Sequence, residues 1–136
     1  MADRLHLEIV TPRRRVVEVD VDEVRLPGAL GEMGVLPGHI PLLTSLAAGP
    51  LTYFDGSKVT RYAVQGGFAE VLPDRVTVLA TVAEAPGDID VAAARSHLQA
   101  AQEKLKDATA EELDELTTAV RLAETEIDVA SGATVH

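Results

Sequence analysis

The hydrophobic period of this chain changes once, near Pro86, and that change decides what the chain can fold into. Before it, apolar residues recur at every second position. Leu5, Leu7 and Ile9 are separated by His6 and Glu8, and Val17, Val19 and Val21 by Glu18 and Asp20. This is the pattern of strands with one face buried. Asp55-Gly56 between YF and SKVTRYAV predicts a hairpin whose two turn positions both tolerate positive φ. Pro73-Asp74, between FAEVL and RVTVLATV, predicts a second. Several short strands joined by close turns point to a sandwich or a barrel over residues 1–85.

After the break at AEAPGDID the period becomes helical. Asp90 is the expected N-cap of a first helix, with Val91, Ala94, Leu98, Ala101 and Leu105 on one face and an end at Asp107-Ala108. Thr109 and Glu112 have capping-box spacing and open a second helix. Its Leu113, Leu116, Val120, Ala123, Ile127 and Ala130 form a narrow seam. A link of two or three residues makes an antiparallel hairpin over residues 86–136, with SGATVH frayed at its end. Two Ala-rich helices bury little apolar area between themselves. The seam therefore docks on the strand-rich part or on a partner. Having two docking places would make the hairpin a switch; permanent packing on the sheet is the plainer alternative.

Composition narrows the function. The formal net charge of −10 opposes nucleic-acid binding and direct adhesion to anionic lipid. The chain has no Cys, so neither disulfides nor thiolate chemistry are available. MADRLHLEIV lacks a signal-peptide core, and no run of about 18 apolar residues predicts a membrane span. His6, His39, His97 and His136 are scattered without metal-ligand spacing, and no serine lies in a nucleophile elbow. We therefore expect no catalytic residue, no metal and no cofactor, with most carboxylates serving as solvated surface.

The stretch GEMGVLPGHIPLLT, Gly31–Thr44, is the remaining candidate. A phosphate loop requires Lys and Ser or Thr directly after its glycines, whereas Gly38 is followed by His39-Ile40-Pro41. Gly28, Gly31, Gly34 and Gly38 instead supply positive φ or close backbone approach, and Pro27, Pro37 and Pro41 stiffen the path. Met33, Val35 and Leu36 are expected to project from a corner between strands. That corner is either a binding surface or a plain turn of the scaffold.

PGALGEMGVLPGHIPLLTSLAAGP resembles the signature of the epsilon subunit of the F-type ATP synthase, through Gly31, Gly34, Leu36, Pro37, Gly38, His39, Pro41 and Gly49. VQGGFAEVLPDRVTVLA, with Gly66-Gly67-Phe68, and the opening LHLEIVTP fit the same family. The resemblance implies a β-sandwich of about ten strands followed by a two-helix hairpin, in a non-catalytic rotor subunit that couples proton translocation to ATP synthesis. The implied partners are the gamma subunit and the membrane c-subunit ring, met through the loop with Glu32, Met33, Val35, Leu36 and His39. Beta and alpha subunits of the catalytic head would be met through Arg95, Lys104, Lys106 and Arg121. The implied place is the cytoplasmic face of a bacterial membrane, since no transit peptide precedes the first strand.

Two departures from the family pattern bear on regulation. Members that bind ATP carry Ile or Leu, Asp, two variable residues, Arg and Ala at the start of the first helix. Here Ile89 and Asp90 are present, but Ala93 stands at the Arg position, and Leu122 and Glu126 stand where the second helix usually offers Arg. Without those cations ATP binding is expected to be weak or absent. The second helix is also acidic. From Asp107 onward, Arg121 is the only Lys or Arg against eight Asp and Glu, whereas the family's second helix is usually basic and meets an acidic loop of the beta subunit; the resemblance then implies a hairpin that is a weak brake on hydrolysis, or one that brakes through the gamma subunit alone.

Overall fold

The computed structural model describes residues 3–132. Eight strands come first: β1 Leu5–Val10, β2 Arg15–Val21, β3 Glu23–Gly28, β4 Gly31–Val35, β5 Leu42–Ser45, β6 Gly49–Asp55, β7 Lys58–Leu72 and β8 Arg75–Glu84. A 3-10 turn, Pro86–Asp88, leads to α1 Val91–Leu105 and α2 Ala110–Ser131. The strand order is β2-β1-β8-β7-β6-β3-β4, with β5 also paired to β7.

The two long strands explain why eight strands do the work of ten. The first part of β7 pairs with β6, its last part pairs with β5, and β8 pairs with it from Ala63 to Leu72. The change of layer falls at Gly66-Gly67. Gly66 (φ 73°) drops out of the β7–β8 register, which resumes at Gly67 (φ 84°) opposite Ala80. A Cβ on Gly67 would lie 1.8 Å from the Leu79 carbonyl oxygen, so only glycine permits this crossing. The sheet folds over there, and both layers contribute to one core. Leu5, Leu7, Ile9, Val76 and Val78 from one side meet Val24, Leu26, Val35 and Leu51 from the other. At β1 the neighbour is parallel β8, from His6 opposite Arg75 to Val10 opposite Leu79. The period-two pattern contains no sign of that pairing.

The predicted hairpins form, with one shift. Leu72 pairs with Arg75 around Pro73-Asp74 as expected. In the other hairpin Asp55 pairs with Lys58, so the turn positions are Gly56-Ser57 rather than Asp55-Gly56. Gly56 alone has positive φ (61°), as a turn with glycine at its first central position requires.

Both helices are capped as their sequences indicate. Asp90 accepts from the Ala93 N–H at 3.1 Å, and Thr109 and Glu112 close a capping box. The link between the helices is four residues, Lys106–Thr109, longer than the two or three expected. α1 packs on α2, and α2 packs on β6, β7 and the 3-10 turn. This second contact alters the seam. Thr125 and Val129 are buried in addition to Ala123, while Leu113, predicted on the seam, is 50% exposed. The helix has two covered sides where a single narrow stripe was expected. Ser131 is still helical and Gly132 caps the helix with φ 72°, so SGATVH holds order through at least these two residues. Its last four residues, and with them His136, lie outside the described part.

Candidate functional site, an exposed apolar face beside a stiffened loop

The loop between β4 and β5 is pinned to the sandwich. The Gly38 N–H donates to the Pro73 carbonyl at 2.7 Å, and the His39 N–H donates to the Leu36 carbonyl at 3.1 Å. The His39 ring bonds the Ile40 carbonyl through Nδ1 at 2.7 Å, which makes Nδ1 the protonated nitrogen. Gly31 (φ 131°) and Gly38 (φ 89°) supply the positive φ values. Gly28 serves by close approach, since a Cβ there would sit 2.9 Å from the Gly31 carbonyl oxygen. Gly34 meets neither need.

The loop's candidate contact residues divide by strand parity. Glu32 is exposed, Leu36 is 57% exposed, and Met33 and His39 are half-buried. Val35 does not project. It pairs with Val24 and is fully buried in the core, because the alternation of β4 turns it inward. Val35 is therefore a core residue, and the expectation that it offers a contact to a partner is corrected.

Other residues complete the face. Ile40 is 75% and Leu43 68% exposed, and Leu42 also reaches the surface. On β7 and β8, Phe68 pairs with Leu79, Leu79 pairs in turn with Val10, and both Phe68 and Leu79 are nearly half exposed. Ser45 pairs with Phe68 and Leu43 with Glu70, which puts Leu43 diagonally beside the Phe68–Leu79 row. A patch of this kind on a well-packed scaffold marks an interaction surface. Sequence reasoning missed Phe68 and Leu79. The signal was present in FAEVL, where Phe68 shares the parity of Glu70 while Ala69 and Val71 point to the core.

The candidate cations of the hairpin are separated. Arg95 and Lys104 are exposed, and Lys106 pairs with Glu103 at 3.2 Å. Arg121 lies in a cleft against the sandwich, lined also by Glu32, Gly31 and Pro50. That juxtaposition joins a hairpin residue to the loop, which neither motif implies. At the degenerate ATP motif, Ile89 is half-buried, the Asp90 carboxylate is taken by the helix cap, and Ala93 supplies only its N–H.

One titratable cluster lies elsewhere, on β1 and β2. His6, Glu8 and Glu18 bring ligand-type atoms within 4.8 Å of one another. Their capacity is already committed. His6 bonds Asp20 at 2.8 Å and Glu18 at 3.1 Å, and Arg15 bridges Glu8 at 3.3 Å and Glu18 at 3.2 Å. The bond to Asp20, then that to Glu18, raises the His6 pKa above its ordinary value.

The fold and surface define a class: a small β-sandwich with a broad exposed apolar face and an appended helical hairpin. Residues 4–86 match the family model described as the ATP synthase Delta/Epsilon chain, beta-sandwich domain. The chain is 45% identical over 128 residues to the ATP synthase epsilon chain of Halalkalibacterium halodurans, covering 93% of this chain and 96% of that one. It is 52% identical over 101 residues to that of Anaeromyxobacter sp. (strain Fw109-5), covering 74% and 76%. The chain belongs to the ATP synthase epsilon-chain family. Among solved structures the fold is similar to a chain in the Euglena gracilis mitochondrial ATP synthase OSCP/F1/c-ring assembly, with TM-score 0.81 and 24% identity, covering 96% of this chain and 83% of that one. A chain of the Tetrahymena thermophila mitochondrial ATP synthase central stalk and c-ring aligns with TM-score 0.58 and 14% identity, covering 98% of each.

Proposed function

We propose that this chain is a non-catalytic rotor subunit in the central stalk of an F-type ATP synthase, coupling proton translocation to ATP synthesis. The observation that carries the reading is the exposed apolar surface of Leu36, Ile40, Leu43, Phe68 and Leu79 on a fully packed sandwich. The gamma subunit and the c-subunit ring cover that surface, with Glu32 and His39 at its polar rim. The unit of residues 1–85 makes this attachment, and the unit of residues 86–136 regulates. No helix among the described residues is long and apolar enough to cross a membrane. Attachment at the cytoplasmic face of a bacterial membrane then runs through the partner subunits.

The hairpin acts as a weak brake on hydrolysis. Arg95, Lys104 and Lys106 of the first helix and its link engage the beta and alpha subunits, while the acids of α2 oppose an acidic partner. The alternative of an ATP-sensing module is disfavoured by Ala93 and by the commitment of Asp90 to its cap. An ATP titration showing a millimolar or tighter dissociation constant would restore it.

The test is ATP hydrolysis by the cognate catalytic head lacking this subunit, titrated with the full chain and with a chain ending near Pro86. Both are expected to bind, and the full chain to slow hydrolysis only modestly. A steep inhibition that disappears with the hairpin rejects the weak brake, and failure of both to bind rejects the rotor reading. Leu43→Glu with Phe68→Ser is expected to weaken binding to the gamma subunit by about tenfold or more without lowering the melting temperature.

A further inference from the structure

The hairpin meets the sandwich along β6. Arg121 of α2 shares a cleft with Gly49 and Pro50 at the start of that strand, and Val129 shares another with Phe54 near its end. The two spans agree. From Arg121 to Val129 the helix rises about 12 Å, and from Pro50 to Phe54 the strand advances about 13 Å. α2 therefore runs along β6 and brings Arg121 to the corner where β3 turns into β4. The cleft there measures about 270 Å³. That is less than the roughly 300–1,000 Å³ of small-molecule pockets, and it suits a single long side chain.

The sandwich side of the cleft is fixed by its own backbone. Pro27 pairs with Glu32 across β3 and β4. The Ala47 N–H donates to the Pro27 carbonyl at 2.8 Å, and the Ala29 N–H donates to the Ser45 carbonyl at 2.9 Å. A Cβ on Gly49 would stand 2.7 Å from the Pro27 Cβ, so glycine lets these two walls close up. Among the described residues that line the cleft, Glu32 and Arg121 alone are charged, with opposite signs and one from each part of the chain; the rest are Gly, Ala and Pro. Neither has an ion pair within salt-bridge distance among the described residues, and Arg121 leaves Glu124, three positions along its own helix, unpaired as well. Both side chains are exposed, so the seat can be reached from outside.

We propose that Arg121 of the docked hairpin and a Lys or Arg side chain of the partner compete for one seat at Glu32, so that engagement of the loop loosens the hairpin. The identity of the partner rests on the rotor reading; the seat rests on the cleft alone. Arg121 is the only Lys or Arg of α2, and so the one point where this acidic helix answers an acid of the sandwich. The docked form thus gives Arg121 to the sandwich, where the resemblance gives it to the catalytic head. The partner's group is cationic because Glu32 is the single charge that the sandwich offers in this cleft. Attraction between exposed charges is small, so losing the contact changes the docking constant by about two- to fivefold. Linkage makes the effect reciprocal: the docked hairpin weakens the partner's hold on the loop by the same factor.

The absence of Cys makes the test direct. Donor and acceptor dyes are attached to the full chain at Ser57→Cys on the β6–β7 turn and Ser96→Cys on α1, both exposed. Energy transfer is followed through a urea titration, which yields a docking constant even where docking is nearly complete. Arg121→Glu and Glu32→Arg should each lower that constant by about two- to fivefold or more, and the two together should restore it. Binding is then measured to a complex of the cognate gamma subunit and c-subunit ring without the catalytic head, so that Arg121 has no head to meet. Arg121→Gln should bind about two- to fivefold more tightly than the native chain, and should bring no gain once Glu32 is replaced by Gln. The proposal is overturned if the double exchange fails to restore docking, which assigns Arg121 to another acid such as Glu124. It is equally overturned if Arg121→Gln leaves the affinity unchanged, or raises it whether or not Glu32 is present. If the native chain does not bind at all, the rotor reading falls and the competition with it, while rescue by the double exchange still establishes the contact within the chain.

Discussion

The sandwich and the hairpin are held together by different sizes of side chain. In the sandwich the largest fully buried side chains are Leu5, Leu7, Ile9, Leu26, Leu51 and a set of valines. Each such side chain contributes roughly 1.5–3 kcal/mol on burial. In the hairpin the buried residues are Ala94, Ala101, Ala123, Thr125 and Val129, and a methyl group contributes only about 0.8 kcal/mol. Thr125 satisfies its hydroxyl within the helix, donating to the Arg121 carbonyl at 2.7 Å, and so adds no polar bond to the sandwich. The same backbone entropy must be offset in both parts. The result is a scaffold that holds its shape and an appendage whose position can be changed by a small free energy. That is the division of labour that the proposed role, a rotor subunit with a regulatory hairpin, requires.

Substitutions can test this contrast in order of effect. The largest is expected at the layer crossing, where Gly67→Ala forces a Cβ into the Leu79 carbonyl. A loss of about 4 kcal/mol in urea unfolding should result, with the strand signal in circular dichroism collapsing. Next is Leu51→Ala, a cavity in the core costing about 3 kcal/mol and lowering the melting temperature of the whole sandwich. Val129→Ala should cost less, about 1–2 kcal/mol, and should act on docking alone. Amide exchange would show α1 and α2 losing protection while β1–β8 keep theirs. Uniform loss across the chain would mean that the two parts unfold as one unit and that the contrast is false.

Smaller effects separate the parts further. Thr109→Ala removes the capping box and should cost about 1 kcal/mol, seen as fraying at the start of α2 with the sandwich unchanged. On the sandwich surface the contribution of His6 has its own sign. Its raised pKa gives stability fully present below the ordinary histidine value and lost as pH rises through the raised one. Asp20→Asn should move the His6 titration, measured by proton NMR, back toward that ordinary value. An unchanged titration would show that Glu18 carries the effect.

Local chemistry makes much of this architecture legible in the chain. The parity of β1 and β2, the Pro73-Asp74 turn, the Asp90 cap and the Thr109–Glu112 box depend on residues a few positions apart, and all form as their sequences predict. The glycine and proline loop is equally readable as a stiffened corner, because positive φ at Gly31 and Gly38 is a local demand. Even the one-residue shift of the Gly56-Ser57 turn lies within the reach of local signals, since Gly56 is the turn glycine in either register.

Short-range signals along the chain thus suffice for which segments are strands, where the helices start and which family the chain belongs to. Long-range packing alone makes β7 and β8 serve both layers, and sets β1 parallel to β8. It also covers α2 on two sides. The reason is range. Period and capping are set within one or two turns of chain, whereas these contacts join residues tens of positions apart. Such residues meet only after the sheet has folded over at Gly67 and the hairpin has closed on it.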